Sequence, residues 1–256
     1  MAPKQHSHKK TMRLIINADD LGRTLEVNKA IFALMDSGLV TSATIMANSP
    51  FVEDAIAILS RFPHCSFGVH VNVTEFSPLS RHATLGRILD EAGNFSLSRF
   101  RAAGLDRPLR QAILNEWSSQ VRKLQSYGIT VSHLDSHHGV HTDMRLFGVL
   151  KRLQYQFGIR RVRVRETIAS TPGQLLLRAR CWNVALRLMY PTRTTSGFTY
   201  FSTFLEVAPW LAGRYPTLEV MVHPGHPRFA SETLNLMSSW REHLPFPVEL
   251  ISYHEI

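Results

Sequence analysis

Short apolar segments typical of buried strands alternate along this chain with longer segments whose apolar residues repeat at helical spacing. This alternation predicts a parallel sheet covered by helices, because parallel strands need a crossover that is usually a helix. Strands are predicted at residues 13–18, 41–46, 66–73, 129–135, 161–164, 219–222 and 248–252. Helices are predicted at residues 25–37, 50–61, 109–127, 144–157 and 175–190. The pattern alone fits either a closed barrel or a doubly wound sheet.

Polar residues at the ends of the predicted strands favour the barrel. Asp19, His70, His137 and His223 each end or follow a strand, and in a parallel barrel all strands end on one face. We therefore predict an α/β fold, specifically a TIM-like (β/α) barrel that is distorted or has fewer than eight regular strands. The 256 residues suit one domain over 12–256, preceded by a disordered basic tail at 1–11.

Charge and apolar patterning narrow the class of protein. Lys and Arg number 29 against 20 Asp and Glu, a formal charge of +9, yet no nucleic-acid motif accompanies the arginines. No apolar run approaches the roughly 20 residues of a membrane span, so no stable membrane insertion is expected. Cys65 and Cys181 lack metal-site or disulfide spacing, which predicts a reducing cytoplasm. The basic helix at 175–190 is interpreted as a solvated face, and oligomeric state, including a homodimer, stays open.

The strongest chemical signal is residues 132–141, which hold four histidines and one carboxylate. In extended geometry His133, Asp135 and His137 share one face, and a following helical turn places His141 one turn from His137. Imidazole and carboxylate ligands suit zinc and other divalent metals. The alternative is a solvated histidine loop.

The remaining candidates are ambiguous individually. Asp19 and Asp20 form either a metal and proton-transfer pair or a turn that caps the next helix. His70 reads alone as a core histidine, and His223 before Pro224 as a turn histidine. No G-x-S-x-G elbow and no Gly-rich phosphate loop occurs, which removes support for serine hydrolases and for nucleotide-dependent reactions.

Taken together, residues 17–22, 68–74, 132–141 and 220–225 resemble the YdjC-like carbohydrate deacetylase family in order and spacing. Residues 38–42, 195–198 and 250–253 are further matches, and the resemblance covers 12–256. The resemblance implies a TIM-like barrel that removes the acetyl group from an N-acetylated sugar, often a chitooligosaccharide, with one divalent metal ion. Mg or Zn would be that ion, with Mn and Co as alternatives.

Residue roles follow from the same resemblance. Asp20, His70 and His137 would bind the metal. Asp19 would be the general base that takes a proton from water, and His223 would protonate the leaving amine. Three further residues would orient the site or touch the sugar: Asp135, His141 and Arg163. Arg163 would hold Asp19 ionised.

The chain departs from the usual family pattern at Leu21, Val71, Val73 and Gly139, the last replacing a third consecutive histidine. None of these replaces an implied ligand, but Gly139 puts chitin-derived substrates in doubt, and a related glycan or glycolipid, as for relatives in hopanoid biosynthesis, stays open. Two other functions also stay open. One is metal-dependent phosphoester hydrolysis; the other is a non-enzymatic basic protein that binds an anionic membrane or nucleic acid through 175–190.

Overall fold

The computed structural model describes residues 11–168 and 176–256, so residues 1–10 of the predicted tail lie outside the described residues. Within them, seven strands form one parallel sheet in the order β4-β3-β2-β1-β6-β5, with β7 beside the start of β1. The strands are β1 Met12–Leu21, β2 Ser42–Ile45, β3 Ser66–Val71, β4 Leu134–Ser136, β5 Gly197–Tyr200, β6 Thr217–Val222 and β7 Val248–Leu250.

Helices connect the strands and cover the outside of the sheet. They are α1 Leu25–Asp36, α2 Val52–Ile56, α3 Leu97–Ala102, α4 Arg107–Ser126, α5 Phe147–Phe157, α6 Leu176–Leu188, α7 Phe201–Leu211 and α8 Ala230–Met237. Short polar side chains start several of them, as when Thr24 accepts the Val27 N–H and Asp106 accepts the Leu109 N–H. Long amphipathic segments were therefore predicted well, since both periodicity and end signals were present.

An irregular segment connects the two edges of the sheet. Leu134 of β4 pairs with Val162, Arg161 pairs with Arg193, and Thr167 donates its N–H to Phe198 of β5. The sheet therefore curls into a barrel with fewer than eight regular strands, which confirms the predicted fold class. A regular strand at 161–164 is wrong, because only isolated bridges form there.

Three other predicted elements need correction. The strand at 129–135 is only Leu134–Ser136, and the helix at 50–61 is interrupted after Ile56 by a 3₁₀ turn at Leu59–Arg61. The sequence pattern places residues 195–198 in a loop, but they contain the start of β5. Helices α3, α7 and α8 were missed. For the basic helix, residue 175 lies outside the described residues, and α6 ends at Leu188.

Successive side chains of β1 alternate between the helical layer and the barrel interior. Leu14, Ile16 and Ala18 are fully buried in the main apolar core, whereas Asn17 and Asp19 point to the interior. The interior, by contrast, is polar. Among residues 11–168 and 176–256, no helix combines the length and apolar character that crossing a bilayer requires.

Candidate metal centre

The end of β1 separates two adjacent aspartates. Between Ala18 and Leu21 the register with β2 shifts, and Asp20 takes a left-handed backbone conformation with φ of 67°. Asp tolerates this region better than most residues, although it is strained. The two carboxylates therefore do not simply alternate across the sheet, and each contacts a different set of side chains.

Asp20 contacts two histidines from neighbouring parts of the barrel. Its Oδ1 lies 2.8 Å from His137 Nδ1 and 3.2 Å from His70 Nε2. His70 belongs to β3, and His137 follows β4 directly. Each of the three side chains offers one donor atom, and these atoms lie within 4.8 Å of one another.

This donor set fits a divalent metal ion. One carboxylate and two imidazoles suit Zn and related cations, and Mg or Mn accept the carboxylate readily. Asp19, His70 and Asp135 are equally close together, but the Arg163 guanidinium already contacts both of those carboxylates. A cation there would face a fixed positive charge, so the set with Asp20 is the better site.

Further carboxylates contact the two histidines on their other nitrogens. Asp135 Oδ1 lies 2.6 Å from His70 Nδ1, which leaves Nε2 directed at Asp20. Glu75 Oε2 lies 2.8 Å from His137 Nε2, at an angle outside the hydrogen-bond range. Arg23 in turn holds Glu75 through both carboxylate oxygens. Such outer partners fix the orientation of metal-binding imidazoles.

Asp19 forms a two-point ion pair with Arg163. Guanidinium nitrogens donate to its two oxygens at 2.6 and 2.7 Å, and Asn17 Nδ2 donates to Oδ1 at 2.9 Å. Burial alone would raise the pKa of Asp19, but the Arg163 charge and hydrogen bonds outweigh it and lower the pKa below its usual value. Asp19 is therefore ionised although it is almost fully buried.

The metal-side histidines have raised pKa values despite burial. Burial opposes the charged form of His70, yet the adjacent Asp135 and Asp20 carboxylates raise its pKa to about 10. The pKa of His137 is likewise raised, against burial, by Asp20 and Glu75. Carboxylates that favour a proton on these nitrogens also favour a divalent cation there, so protons and the metal ion compete for the site.

We call Asp19, Asp20, His70, Asp135, His137 and Arg163 the upper cluster.

A second polar group lies deeper in the barrel, and we call Asn17, His133, Glu219 and Tyr253 the lower cluster. The His133 ring stacks on Tyr253 at 3.7 Å, and its Nε2 lies 3.0 Å from Asn17 Oδ1. Tyr253 donates its hydroxyl to Glu219, and Glu219 accepts from Arg163 Nε at 2.7 Å. His133 therefore does not join the metal-side histidines, although the sequence pattern grouped them.

The remaining histidines of the 132–141 segment surround the metal side. His141 Nδ1 lies 2.5 Å from Ser136 Oγ, and its Nε2 faces the Arg163 carbonyl at 3.3 Å. Burial, and then the Arg163 charge, lower the pKa of His141 to about 3. The His138 ring lies tilted by 46° against the His137 ring with centroids 3.9 Å apart, and its Nδ1 is 3.0 Å from Thr74 Oγ1. Burial, and then the His137 charge, lower the pKa of His138 to about 4. These two rings therefore support the site as neutral groups.

His223 follows β6 directly, on the other side of β1 from β3 and β4, and lines one cavity together with Asp20, His70 and His137. Its ring stacks on Phe229 at 4.3 Å, and Glu232 accepts its backbone N–H at 2.6 Å. The ring Nδ1 is buried, and no described residue forms a hydrogen bond with it; Glu232 Oε2 lies 3.6 Å away. The backbone contact and the stacked ring thus fix His223 in position.

A cavity of about 650 Å³ is lined by all five residues that the family resemblance implies as ligands or proton-transfer groups: Asp19, Asp20, His70, His137 and His223. His141, Arg163, Tyr200 and Met221 also line it, whereas Asp135 lies behind His70. This volume is in the usual range of small-molecule sites.

The sequence interpretation missed Glu75, Glu219 and Glu232, which contact His137, Arg163 and His223 respectively. Glu75 directly follows the 68–74 segment and could have been noticed there. Glu219 is fully buried on a strand, and an inward charged residue inside a predicted strand is a usable signal because it needs a partner. Glu232 gives no comparable signal.

Comparison with known proteins gives a consistent result. The model of a family described as YdjC-like protein matches residues 13–244. A carbohydrate deacetylase of Geobacillus stearothermophilus is 36% identical over 212 residues, which cover 83% of this chain and 79% of the relative. A carbohydrate deacetylase of Halalkalibacterium halodurans is 28% identical over 236 residues, 90% of this chain and 91% of the relative.

A solved structure has the same fold. It is a putative cellobiose-phosphate cleavage protein from Enterococcus faecalis V583, with a TM-score of 0.77, 23% identity, and coverage of 96% of this chain and 99% of the other. At 23% sequence identity, this similarity shows a shared fold only.

Proposed function

Because this chain belongs to the YdjC-like protein family, we propose that it is a carbohydrate deacetylase, a divalent-metal-dependent hydrolase that removes the N-acetyl group from an amino sugar. One observation carries the proposal: the Asp20–His70–His137 set, the ionised Asp19 and the fixed His223 all line one cavity. Relatives named carbohydrate deacetylase, which this chain matches over most of its length, support the sugar substrate.

Asp20, His70 and His137 would hold the metal. When bound, a divalent cation would polarise the acetyl carbonyl and make water a better nucleophile at neutral pH. The protein contributes the orientation of the ligands, since Asp135 fixes the His70 ring through Nδ1 and Glu75 contacts His137.

Asp19 is the proposed general base. It is buried and ionised, and Arg163 and Asn17 fix its orientation. A base held in one position can accept the proton of a water molecule without first reorganising. Arg163 also keeps the pKa of Asp19 low, so proton acceptance depends on the proton of the attacking water becoming more acidic as its oxygen bonds to the acetyl carbon, rather than on a high basicity of the carboxylate.

His223 is the proposed acid that protonates the leaving amine. Its ring lines the same cavity as the metal-side histidines, from a strand on the other side of β1, so an amide bound in this cavity could meet both the base and the acid. Glu232 Oε2 lies 3.6 Å from Nδ1. The other ring nitrogen would deliver the proton to the substrate.

The test is acetate release from N-acetylated mono- and oligosaccharides, with metal-free protein titrated with Mg, Zn, Mn or Co. The wild type should bind about one ion and release acetate only when loaded. His137→Ala should lose both properties, whereas His64→Ala, a change at an exposed histidine, should keep both. Unchanged metal binding and activity in His137→Ala would refute the proposal. Phosphate release from phosphate esters without acetate release would instead favour a phosphoester hydrolase.

A further inference from the structure

The outward face of α6 carries an apolar stripe that no residue of the described ranges, 11–168 and 176–256, covers. Leu177, Cys181, Val184 and Leu188 are exposed and follow one another at helical spacing, with Leu177 at 76% and Leu188 at 79% exposure. The opposite face packs inward through Ala179, Trp182 and Leu186. The helix α6 therefore has two apolar faces, whereas a surface helix normally has apolar residues only on the side that packs against the core.

Arginines flank the exposed stripe. Arg178, Arg180 and Arg187 are exposed, and the sequence of α6 contains no acidic residue. Arg187 donates to Thr194 Oγ1 and the Thr195 carbonyl, so its charge is not neutralised by those contacts. The face therefore combines about four apolar side chains with three positive charges. This composition is typical of helices that lie in the interface of an anionic bilayer.

Neighbouring residues extend the same surface. Met189 is 55% exposed, and Tyr155 of α5, 80% exposed, contacts Tyr190 just beyond the C-terminal end of α6. Lys151 of α5 donates to the Leu186 carbonyl, and Phe147 packs edge-on against Trp182. These contacts hold α6 firmly against α5. Amphipathic tyrosines are favoured at the membrane–water interface.

A groove connects this surface with the metal side of the barrel. Leu177, Arg178 and Cys181 form one wall of a cavity of about 700 Å³. Five residues line both this groove and the site cavity: Arg101, His138, Gly139, Thr142 and Arg165. The absence of a side chain at Gly139, where the family pattern has a histidine, leaves room at that junction.

We propose that the exposed face of α6 docks the protein on the surface of an anionic phospholipid bilayer. The groove then opens beside the docked face, so amino sugars presented at the membrane surface reach the metal side through it. This second consequence rests on the proposed deacetylase function, whereas the docking does not.

The positive charges and the exposed apolar side chains of this face together fit an anionic bilayer better than nucleic acid or a second copy of the chain. Nucleic acid would attract the arginines but would leave the leucines in water, since phosphate contacts dominate its binding. A second copy docked through the same face would bring the two sets of arginines together, with like charges opposed. An anionic bilayer accommodates both features, because the headgroups pair with Arg and the acyl boundary takes the apolar stripe.

The test is co-sedimentation of the full-length protein with vesicles of phosphatidylcholine alone or mixed with phosphatidylglycerol. The wild type should bind only the anionic vesicles and should be released by added salt. Val184→Ser with Leu188→Ser, and separately Arg180→Glu, should each reduce partitioning by about tenfold or more. These residues do not line the groove, so acetate release from a water-soluble substrate should stay unchanged.

Matched controls are Leu234→Ser, an exposed leucine on α8, and Arg110→Glu, an exposed arginine on α4. Both should bind vesicles as the wild type does, and thermal unfolding should show that every variant is folded. Docking through α6 is refuted if anionic vesicles fail to bind, if the controls lose as much binding, or if the protein binds RNA but not vesicles. A concentration-dependent dimer that Val184→Ser with Leu188→Ser dissociates, without vesicle binding, would also refute it. Soluble acetate release, measured in parallel, distinguishes this failure from failure of the deacetylase proposal.

Discussion

The upper and lower clusters contain histidines that are equally buried and yet opposite in character. Burial favours a neutral ring in both His70 and His133, but Asp135 and Asp20 raise the pKa of His70 to about 10. For His133, burial and then the Arg163 charge lower the pKa well below its usual value. The difference lies in direct carboxylate contact, since His133 instead faces Asn17, Ser132 and the ring of Tyr253. In this barrel, carboxylate contact therefore distinguishes the histidine that could bind a metal from the histidine that packs in the interior.

Arg163 joins the two clusters. Its two terminal nitrogens contact Asp19 and Asp135 above, and its Nε contacts Glu219 below. Although buried, it has three carboxylate partners, and the Phe198 ring lies 4.7 Å from the guanidinium. Changes in the upper cluster should therefore affect chemistry and metal binding, whereas changes in the lower cluster should affect stability.

The largest expected effect is that of Asp19→Asn. Loss of the proposed base should lower kcat by about 10²–10⁴-fold, because an amide cannot accept the proton. Metal affinity, measured by competition with a chelating dye, should change little, since Asp20, His70 and His137 remain. Asp54→Asn, at an exposed aspartate, is the matched control. Equal losses of metal affinity and activity would show instead that Asp19 is a ligand.

Asp135→Asn should act on the metal rather than on proton transfer. The carboxylate contacts His70 Nδ1 at 2.6 Å, and loss of such a partner typically weakens metal affinity by about 10–100-fold. The same dye competition measures this, and excess metal should restore part of the activity. Activity that stays low at saturating metal would contradict an orienting role.

Gly68→Ala tests the lower cluster. A Cβ at this position would lie 2.7 Å from His133 ring atoms and from the His133 carbonyl oxygen, so the strand and ring must move apart. Overpacking of this kind costs about 1–3 kcal/mol of unfolding free energy, which urea denaturation measures. Gly86→Ala, where a Cβ would meet nothing within 4 Å, is the control. A variant as stable as the wild type but unable to bind metal would break the division between the clusters.

Glu219→Gln should give the smallest effect, a change in pH dependence. Burial raises the pKa of Glu219 from 4.5 to about 7, against the opposing Arg163 charge. A raised folded pKa means that its contribution to stability is complete below the unfolded value and is lost as pH rises through about 7. As the pH rises from 4.5 to 7, the Tm of the wild type should therefore fall relative to the Tm of Glu219→Gln. A constant difference over that range would contradict it.

Sequence patterns predicted the alternation of strands and helices because both periodicities are local and strong, and the polar residues at the strand ends then favoured the barrel over a doubly wound sheet. The same patterns failed at 161–164, where backbone bonds form to Leu134 on one side and Arg193 on the other without a regular ladder. The start of β5 was also missed, since a short strand between Ser196 and Phe201 has little room to show alternation. Such elements form through backbone hydrogen bonds to neighbouring segments, so the pattern of their own residues does not reveal them.

The geometry brings the implied ligands Asp20, His70 and His137 together, and their roles remain proposals that the variants above test. Sequence position could not separate His133 from His137, because both lie in one histidine-rich segment. The ring of Tyr253 and the amide of Asn17, both distant along the chain, hold His133 in the lower cluster. The partners of Glu75 and Glu219, which are His137 and Arg163, likewise lie in distant segments of the chain.

The left-handed backbone at Asp20 has a consequence for engineering this protein. A residue at φ of 67° is the kind of position where glycine usually increases stability, because it removes backbone strain. Here glycine would also remove a carboxylate that faces two histidines. Selection for thermal tolerance alone would thus favour a change that abolishes the metal site, so screens of variant libraries should select for metal retention together with heat resistance.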